Sequence, residues 1–163
     1  MIHDDVEVLG WLAQVAVAFA GFSAIVVLFR RDDEGRWLKV HRDRFHGMVV
    51  HATAAVLFCM LPMLVGVFTT DHATIWNVSS ALLGVELAVQ TTGIILMSTT
   101  ALVSRLVVSA GYLFALLQVL NVAGIAFDHE ARPYVGGVIW HVIQSGGLFI
   151  GLIWVPANEI DDD

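Results

Sequence analysis

Residues 75–127, IWNVSSALLGVELAVQTTGIILMSTTALVSRLVVSAGYLFALLQVLNVAGIAF, decide the fold because they form one nearly unbroken apolar tract. Charged side chains interrupt this tract only at Glu86 and Arg105. A bilayer core of about 30 Å is crossed by about 20 helical residues, so a single helix of this length would not fit even when strongly tilted. The Ser/Thr cluster just before Arg105 therefore predicts a break, with one membrane-spanning helix on each side of it.

The composition of the whole chain agrees with a membrane location. Of its 163 residues, 58% are hydrophobic and 14% are charged, and the mean hydropathy is +0.79. Soluble domains average roughly 45–50% apolar and 25% charged residues, so these values exclude an ordinary soluble domain and a disordered chain. A single cysteine, Cys59, excludes a disulfide scaffold. The net charge of −7 argues against a nucleic-acid partner.

The apolar runs predict an all-α fold in which residues 1–163 form a single transmembrane domain of five helices. The second run contains Pro62, which cannot donate a hydrogen bond to the carbonyl of Phe58 and should kink its helix. We interpret this kink as a packing feature, with a gating hinge as the less favoured alternative. The five predicted helices cover residues 8–29, 47–70, 75–98, 106–127 and 134–155.

The basic residues predict the orientation of the chain. Of the eight Lys and Arg residues, only Arg132 falls in the fourth connection, and the others fall in the first and third connections. The positive-inside rule then puts the N-terminus outside and the C-terminus in the cytoplasm. Residues 12–31, LAQVAVAFAGFSAIVVLFRR, resemble the opening helix of small bacterial membrane proteins, which implies a bacterial inner membrane. Trp76 and Tyr134 are expected at the outer lipid interface.

Glu86 is the most informative polar residue, since it lies about 16 Å into its predicted helix and close to the bilayer centre. A carboxyl group at that depth costs a few kcal/mol, so it either handles protons or cations or forms a hydrogen bond that fixes packing. Other helices place polar side chains at similar depths. The resulting layer predicts a polar intramembrane path for protons or small cations, and an interhelical hydrogen-bond network is the alternative. Its further members are Gln14, Gln90, Gln118, Asn121, His141 and Gln144.

Histidines in the outer segments offer a weaker hypothesis. His3, His72 and His129 each stand beside a carboxylate, and three imidazoles from short loops could bind a transition metal. Their spacing fixes no two ligands on one element, which favours solvated loop residues. Haem is also disfavoured, because His51 and His141 differ by about 14 Å in predicted depth at 1.5 Å per residue. We therefore expect no cofactor.

Small residues predict where helices pack on one another. They recur at four-residue steps in the first and fifth helices, a spacing that lets helix backbones approach closely. Such faces in a short polytopic protein favour a homo-oligomer. The residues concerned are Ala16, Ala20, Ala24, Gly147 and Gly151.

The longest connection, the basic loop at residues 30–46, is expected in the cytoplasm. Its cationic side chains could contact anionic lipid or a protein partner, although a solvated loop that only fixes orientation is the simpler interpretation. The residues that would make such contacts are Arg36, Lys39, Arg42 and Arg44.

No catalytic motif is present, since the chain contains neither a phosphate-binding G-x-x-x-x-G-K-[ST] loop nor a C-x-x-C pair. We expect a non-enzymatic, channel- or transporter-like membrane oligomer. A non-catalytic membrane subunit or interaction protein, whose basic loop binds a partner or anionic lipid, is the alternative from a different class.

Overall fold

The computed structural model describes residues 2–28, 39–97 and 103–154, and within these ranges every regular element is an α-helix. The helices are α1 (Ile2–Leu28), α2 (Lys39–Gly66), α3 (His72–Met97), α4 (Val103–Val122) and α5 (Ala131–Ile153).

Each of the five helices contains a stretch long and apolar enough to cross a membrane. These stretches also keep large apolar side chains on their outer surfaces, among them Phe22, Leu57 and Val85, which are 60, 61 and 65% exposed. Exposed apolar surface on this scale is unfavourable in water and is expected where the solvent is lipid. The chain is therefore an all-α, membrane-embedded protein. The candidate spans are Asp5–Val26, Arg42–Gly66, His72–Ile95, Arg105–Val122 and Ala131–Ile153.

Several predicted helix ends differ from the observed ones, and two of the differences have a local cause. α2 begins at Lys39 instead of residue 47, because residues 39–46 lack Gly and Pro and continue the helix beyond its apolar part. Part of the predicted basic loop is therefore helical. α4 ends at Val122 instead of residue 127, since Gly124 adopts a left-handed φ of 65° that stops the helix.

The chain divides into two compact units, of which the first contains α3 and α4. This hairpin unit comprises Met1–Leu9 and Phe58–Trp140. α3 and α4 pack closely on each other, and Gly84 is needed at their contact because a Cβ there would lie 3.0 Å from the Cβ of Gln118.

α3 begins with an N-cap formed by Asp71. Its Oδ2 accepts hydrogen bonds from the backbone N–H of Thr74 at 3.0 Å and from the Thr74 hydroxyl. These bonds hold the pKa of the exposed Asp71 carboxyl below its ordinary value, and the bond from the Thr74 hydroxyl has the largest effect. Asp71 therefore supplies one of the four acceptors that a helix N-terminus requires.

The carbonyl that lacks its helical N–H partner because of Pro62 makes a specific contact in the hairpin unit. Pro62 has no N–H for the Phe58 carbonyl, and the hydroxyl of Tyr134 donates to that oxygen at 2.5 Å. A neighbouring helix thus satisfies the carbonyl that proline leaves open, as membrane helices require. Tyr134 and Trp76 are 0 and 2% exposed, with ring centroids 5.6 Å apart, so their expected placement at the lipid interface is wrong.

The second unit, which we call the histidine unit, comprises Gly10–Leu57 and His141–Asp163. Its core is a cluster of small side chains from α1 and α2, namely Ala16, Ala52 and Ala55, with Ala20 and Val142 packed beside them. Small residues let these helices approach closely.

Candidate functional site

The histidine unit brings together two buried imidazoles. His51 of α2 and His141 of α5 are 7 and 0% exposed. Their ring centroids lie 5.8 Å apart, with the ring planes inclined by 42°. Two titratable side chains in contact and shielded from solvent form the most chemically capable arrangement in this unit.

The pair follows from the buried faces of the two helices. Side chains buried on α2 recur every three or four residues, and those on α5 follow the same helical spacing, so each histidine lies in the middle of a stripe that faces other helices. The stripe on α2 contains Met48, His51, Ala52, Ala55 and Cys59, and the stripe on α5 contains Tyr134, Val138, His141, Ser145 and Leu152.

α2 and α5 approach closely one turn from the pair. The Ser145 hydroxyl donates to the backbone carbonyl of Met48 at 3.4 Å. A Cβ on Gly47 would lie 3.1 Å from Leu148 Cδ1. The histidines therefore sit at a tight helix contact that leaves little free space.

Hydrogen bonding does not fully satisfy His51. Among the described residues, Nδ1 of His51 is buried and has no hydrogen-bond partner. A ring nitrogen lies about 1.1 Å from its ring centre, so the nitrogens of the two rings come no closer than roughly 3.5 Å, beyond the 2.7–3.2 Å of a hydrogen bond. The two rings are neighbours without a direct N–H···N bond.

The predicted separation of 14 Å in depth between His51 and His141 is wrong. The ring centroids lie 5.8 Å apart, so the two rings differ in level by no more than that distance. His51 lies twelve residues after the start of α2, and His141 lies twelve residues before the end of α5. The sequence-based scale failed because it measured depth from the edges of apolar runs instead of from the helix ends.

The hairpin unit holds a second polar cluster, centred on Asn121. Its Nδ2 donates to Ser80 Oγ at 3.0 Å and to the Glu130 carbonyl at 2.9 Å, and its Oδ1 accepts from the Glu130 backbone N–H at 3.1 Å. These contacts join the end of α4 to the segment before α5. They give Asn121 a structural role, and its place in an ion path stays a prediction.

His129 belongs to the same cluster. Its Nδ1 donates to Asn77 Oδ1 at 2.6 Å and to the Asn121 carbonyl at 3.0 Å. His129 and Asp128 have φ values of 62° and 48°, in the left-handed region that costs energy for residues other than glycine. The hydrogen bonds of His129 stabilise that strained turn.

Of the two other proposed metal ligands, His72 and His3, the structure describes the side chain of His72. His72 Nε2 accepts a hydrogen bond from Trp76 Nε1 at 2.9 Å, so that nitrogen is already in use. The side chain of His3 lies outside the described residues. Within the described part of the chain, no three His, Cys, Asp or Glu side chains are grouped closely enough to hold a metal ion. The three-histidine site stays a prediction.

The remaining members of the predicted polar path lie in different environments. Gln118 is fully buried and donates through Nε2 to the Pro133 carbonyl at 2.7 Å. Gln14 is exposed, because it lies about 200° around α1 from the buried Ala16. Three more candidates, Glu86, Gln90 and Gln144, are half-buried.

The basic residues proposed for lipid or partner contact also lie in different environments. Arg44 Nη1 donates to the Gly151 carbonyl at 2.6 Å, near the C-terminus of α5, where carbonyls lack helical partners. Arg42 is exposed and lies 3.7 Å from Asp43. Arg36 lies outside the described residues, as does the side chain of Lys39. Arg44 therefore contacts its own chain.

The small residues on the outer faces, unlike those of the core, are exposed and less closely packed. A Cβ on Gly147 would meet nothing within 4 Å, and Ala24 is exposed. The close contact on α5 in this unit uses Gly146 instead, whose Cβ position lies 3.2 Å from Phe19. Gly147 and Ala24 therefore remain available for a neighbouring molecule, and an oligomer stays a prediction.

Comparisons with protein-family profiles, with curated proteins and with solved structures give no match for this chain.

Proposed function

We propose that this protein is a channel- or transporter-like membrane protein that passes protons or small cations, with the His51–His141 pair as its cation-handling site. The contact of the two buried imidazoles, at a centroid distance of 5.8 Å, is the observation that carries the proposal. Polar residues inside a membrane are costly, and their usual justification is a substrate or ion pathway.

The chemistry of imidazole supports this assignment. A neutral imidazole has one N–H donor and one acceptor nitrogen, so it can take up a proton on one side and release it on the other. The gap between the rings exceeds a direct hydrogen bond, so proton transfer between them requires a bridging water molecule or a side-chain movement that shortens the centroid distance. Glu86, half-buried in α3, is the second titratable candidate.

The test is a proton-flux assay in liposomes that contain a pH-sensitive dye and a metal chelator, driven by a potassium diffusion potential. We expect His51→Gln and His141→Gln each to lower the flux about tenfold or more, because glutamine keeps polarity but cannot carry a proton. Glu86→Gln tests the carboxyl group in the same assay.

The matched control is His46→Gln, since His46 is an exposed histidine on the same helix as His51. This variant should conduct like the parent. A parent protein with no flux above that of empty liposomes would contradict the proposal. It would favour the alternative, a non-catalytic membrane subunit. The hydrogen bonds that the Asn121 and Gln118 amides donate to backbone carbonyls also favour this alternative, because they give these side chains structural roles.

We further propose the membrane setting in which this function operates. The distribution of Lys and Arg supports an N-terminus outside and a C-terminus in the cytoplasm of a bacterial inner membrane. The open positions at Gly147 and Ala24 support assembly of several copies. A short basic segment that includes Arg36 would lie on the cytoplasmic side, near anionic lipid.

A further inference from the structure

We propose that the His51–His141 pair binds one monovalent soft metal ion, Cu(I), for which Ag(I) is a stable analogue. The inference goes beyond proton handling, because it concerns binding and holds whether or not the chain conducts protons. It stands on the spacing of the two rings, on the donor atoms around them and on the space between α2 and α5.

The distance between the ring centroids lies between the values expected for a linear and for a trigonal unit in which two imidazoles share one ion. With metal–nitrogen bonds of about 2.0 Å and nitrogens about 1.1 Å from the ring centres, a linear N–metal–N unit separates the centroids by roughly 6.2 Å and a trigonal unit by roughly 5.4 Å. The observed centroid distance is 5.8 Å. Nδ1 of His51, which is buried and has no hydrogen-bond partner among the described residues, is available as a ligand atom.

The donor set favours a metal of low coordination number. Zn²⁺ binds four ligands in structural sites, yet the described residues contain no group of three His, Cys, Asp or Glu side chains that could surround one ion. Met48 lies on the buried face of α2, one turn before His51, and is 0% exposed. Imidazole and thioether ligands together are typical of Cu(I), which accepts two or three donors.

Charge also favours a monovalent ion. The cost of transferring an ion from water to a low-dielectric interior rises with the square of its charge, so a divalent ion bound by neutral imidazoles would be far less stable there. A single positive charge is the smallest charge that a bound metal cation can carry. Cu(I) and Ag(I) therefore fit the interior of the histidine unit better than Zn²⁺, Ni²⁺ or Cu²⁺.

Haem does not fit between these histidines. One turn away, Ser145 Oγ lies 3.4 Å from the Met48 carbonyl, so only a small side chain of α5 separates that helix from the α2 backbone. Ala52 and Ala55, which follow His51 on α2, are buried in the core of small side chains. A porphyrin inserted between the rings would have to separate these helices, whereas a single ion would not.

The test is a binding titration of the purified, chelator-washed protein in detergent. Cu(I) is added anaerobically in competition with a colorimetric Cu(I) chelator, and Ag(I) is added in a calorimeter. We expect one ion per chain. His51→Gln and His141→Gln should each weaken binding tenfold or more, because one of two principal ligands is lost. Met48→Leu, which keeps the side-chain volume, should weaken it by a smaller factor.

His46→Gln, at an exposed position on α2, is the matched control and should bind like the parent. X-ray absorption of the metal-loaded parent covers the case in which a variant fails to fold, and it should show two nitrogen ligands at about 2.0 Å together with one sulfur ligand at a longer distance. The inference is overturned if the parent binds no Cu(I) or Ag(I), if it prefers Zn²⁺, or if the purified protein carries haem. Because the flux assay is run with a chelator, loss of metal binding and loss of proton flux are distinguishable.

Discussion

The Asn121 cluster of the hairpin unit and the His51–His141 pair of the histidine unit differ in how completely their hydrogen bonds are made. In the hairpin unit, Asn121 uses both its amide nitrogen and its amide oxygen in contacts of 2.9–3.1 Å. In the histidine unit, Nδ1 of His51 is buried and has no partner among the described residues. A buried polar group normally finds a partner, so one that does not is a candidate for function.

We interpret this difference as one between polar groups that stabilise the fold and polar groups that are available for chemistry. A satisfied network rigidifies the fold, because each donor and acceptor is matched, and removing one member leaves others unmatched. An unsatisfied group contributes no such stability, since its desolvation has not been offset. Substitutions in the two clusters should therefore affect stability and activity in opposite ways.

The largest effect is expected for Asn121→Ala in the hairpin unit. This substitution removes three hydrogen bonds and leaves the buried Ser80 hydroxyl and the Glu130 backbone without that partner. We expect the free energy of unfolding to fall by about 3 kcal/mol, measured by thermal or denaturant unfolding in detergent.

Val119→Ala is the control for Asn121→Ala, because Val119 lies on α4 and is 60% exposed. It should change stability by less than about 0.5 kcal/mol, as expected for a side chain with few protein contacts. Equal losses in the two variants would show that the network is no more important than the lipid-facing surface, and the contrast between the clusters would disappear.

The existence of the helices is far easier to predict from the sequence than the positions of their ends. The number of helices follows from apolar runs of membrane length, a signal that depends only on burial in lipid. The extension of α2 to Lys39 carries no such signal, because hydropathy marks the membrane and not the helix. The end of α4 depends on the left-handed turn at Gly124, Asp128 and His129.

The histidine pair could not be predicted because it depends on the relation between two helices distant in sequence. The sequence identifies His141 as a polar group at depth but predicts another level for His51. A signal was present in the alternation of buried positions on α2, where Met48, Ala55 and Cys59 share a face with His51. That pattern identifies the face, whereas only the observed packing identifies its partner.

A middle-sized effect is expected for Tyr134→Phe, which tests whether a satisfied contact outside the Asn121 cluster is structural too. Loss of the hydroxyl leaves the Phe58 carbonyl without the donor that replaces the missing N–H of Pro62. We expect stability to fall by about 1–2 kcal/mol, the cost of one unsatisfied buried group, with little change in volume.

The double variant Tyr134→Phe/Pro62→Ala sharpens this test. Alanine restores an N–H that can bond to the Phe58 carbonyl, so the second substitution should recover part of the lost stability. Additive losses in the double-mutant cycle would mean that the tyrosine hydroxyl does not compensate for the proline.

The smallest effect on stability is expected for His51→Leu, the counterpart in the histidine unit. Leucine removes a buried nitrogen that has no hydrogen-bond partner among the described residues and replaces it with an apolar side chain of similar size. The free energy of unfolding of the metal-free protein should stay within about 0.5 kcal/mol of the parent value or rise, because no matched hydrogen bond at Nδ1 is lost and a desolvation cost is relieved. Proton flux and Cu(I) binding should fall in the same variant, so that function and stability separate. A decrease of about 2 kcal/mol or more in the free energy of unfolding would instead show that His51 stabilises the fold, as Asn121 is expected to do. That result would remove the reason for assigning the pair a chemical role.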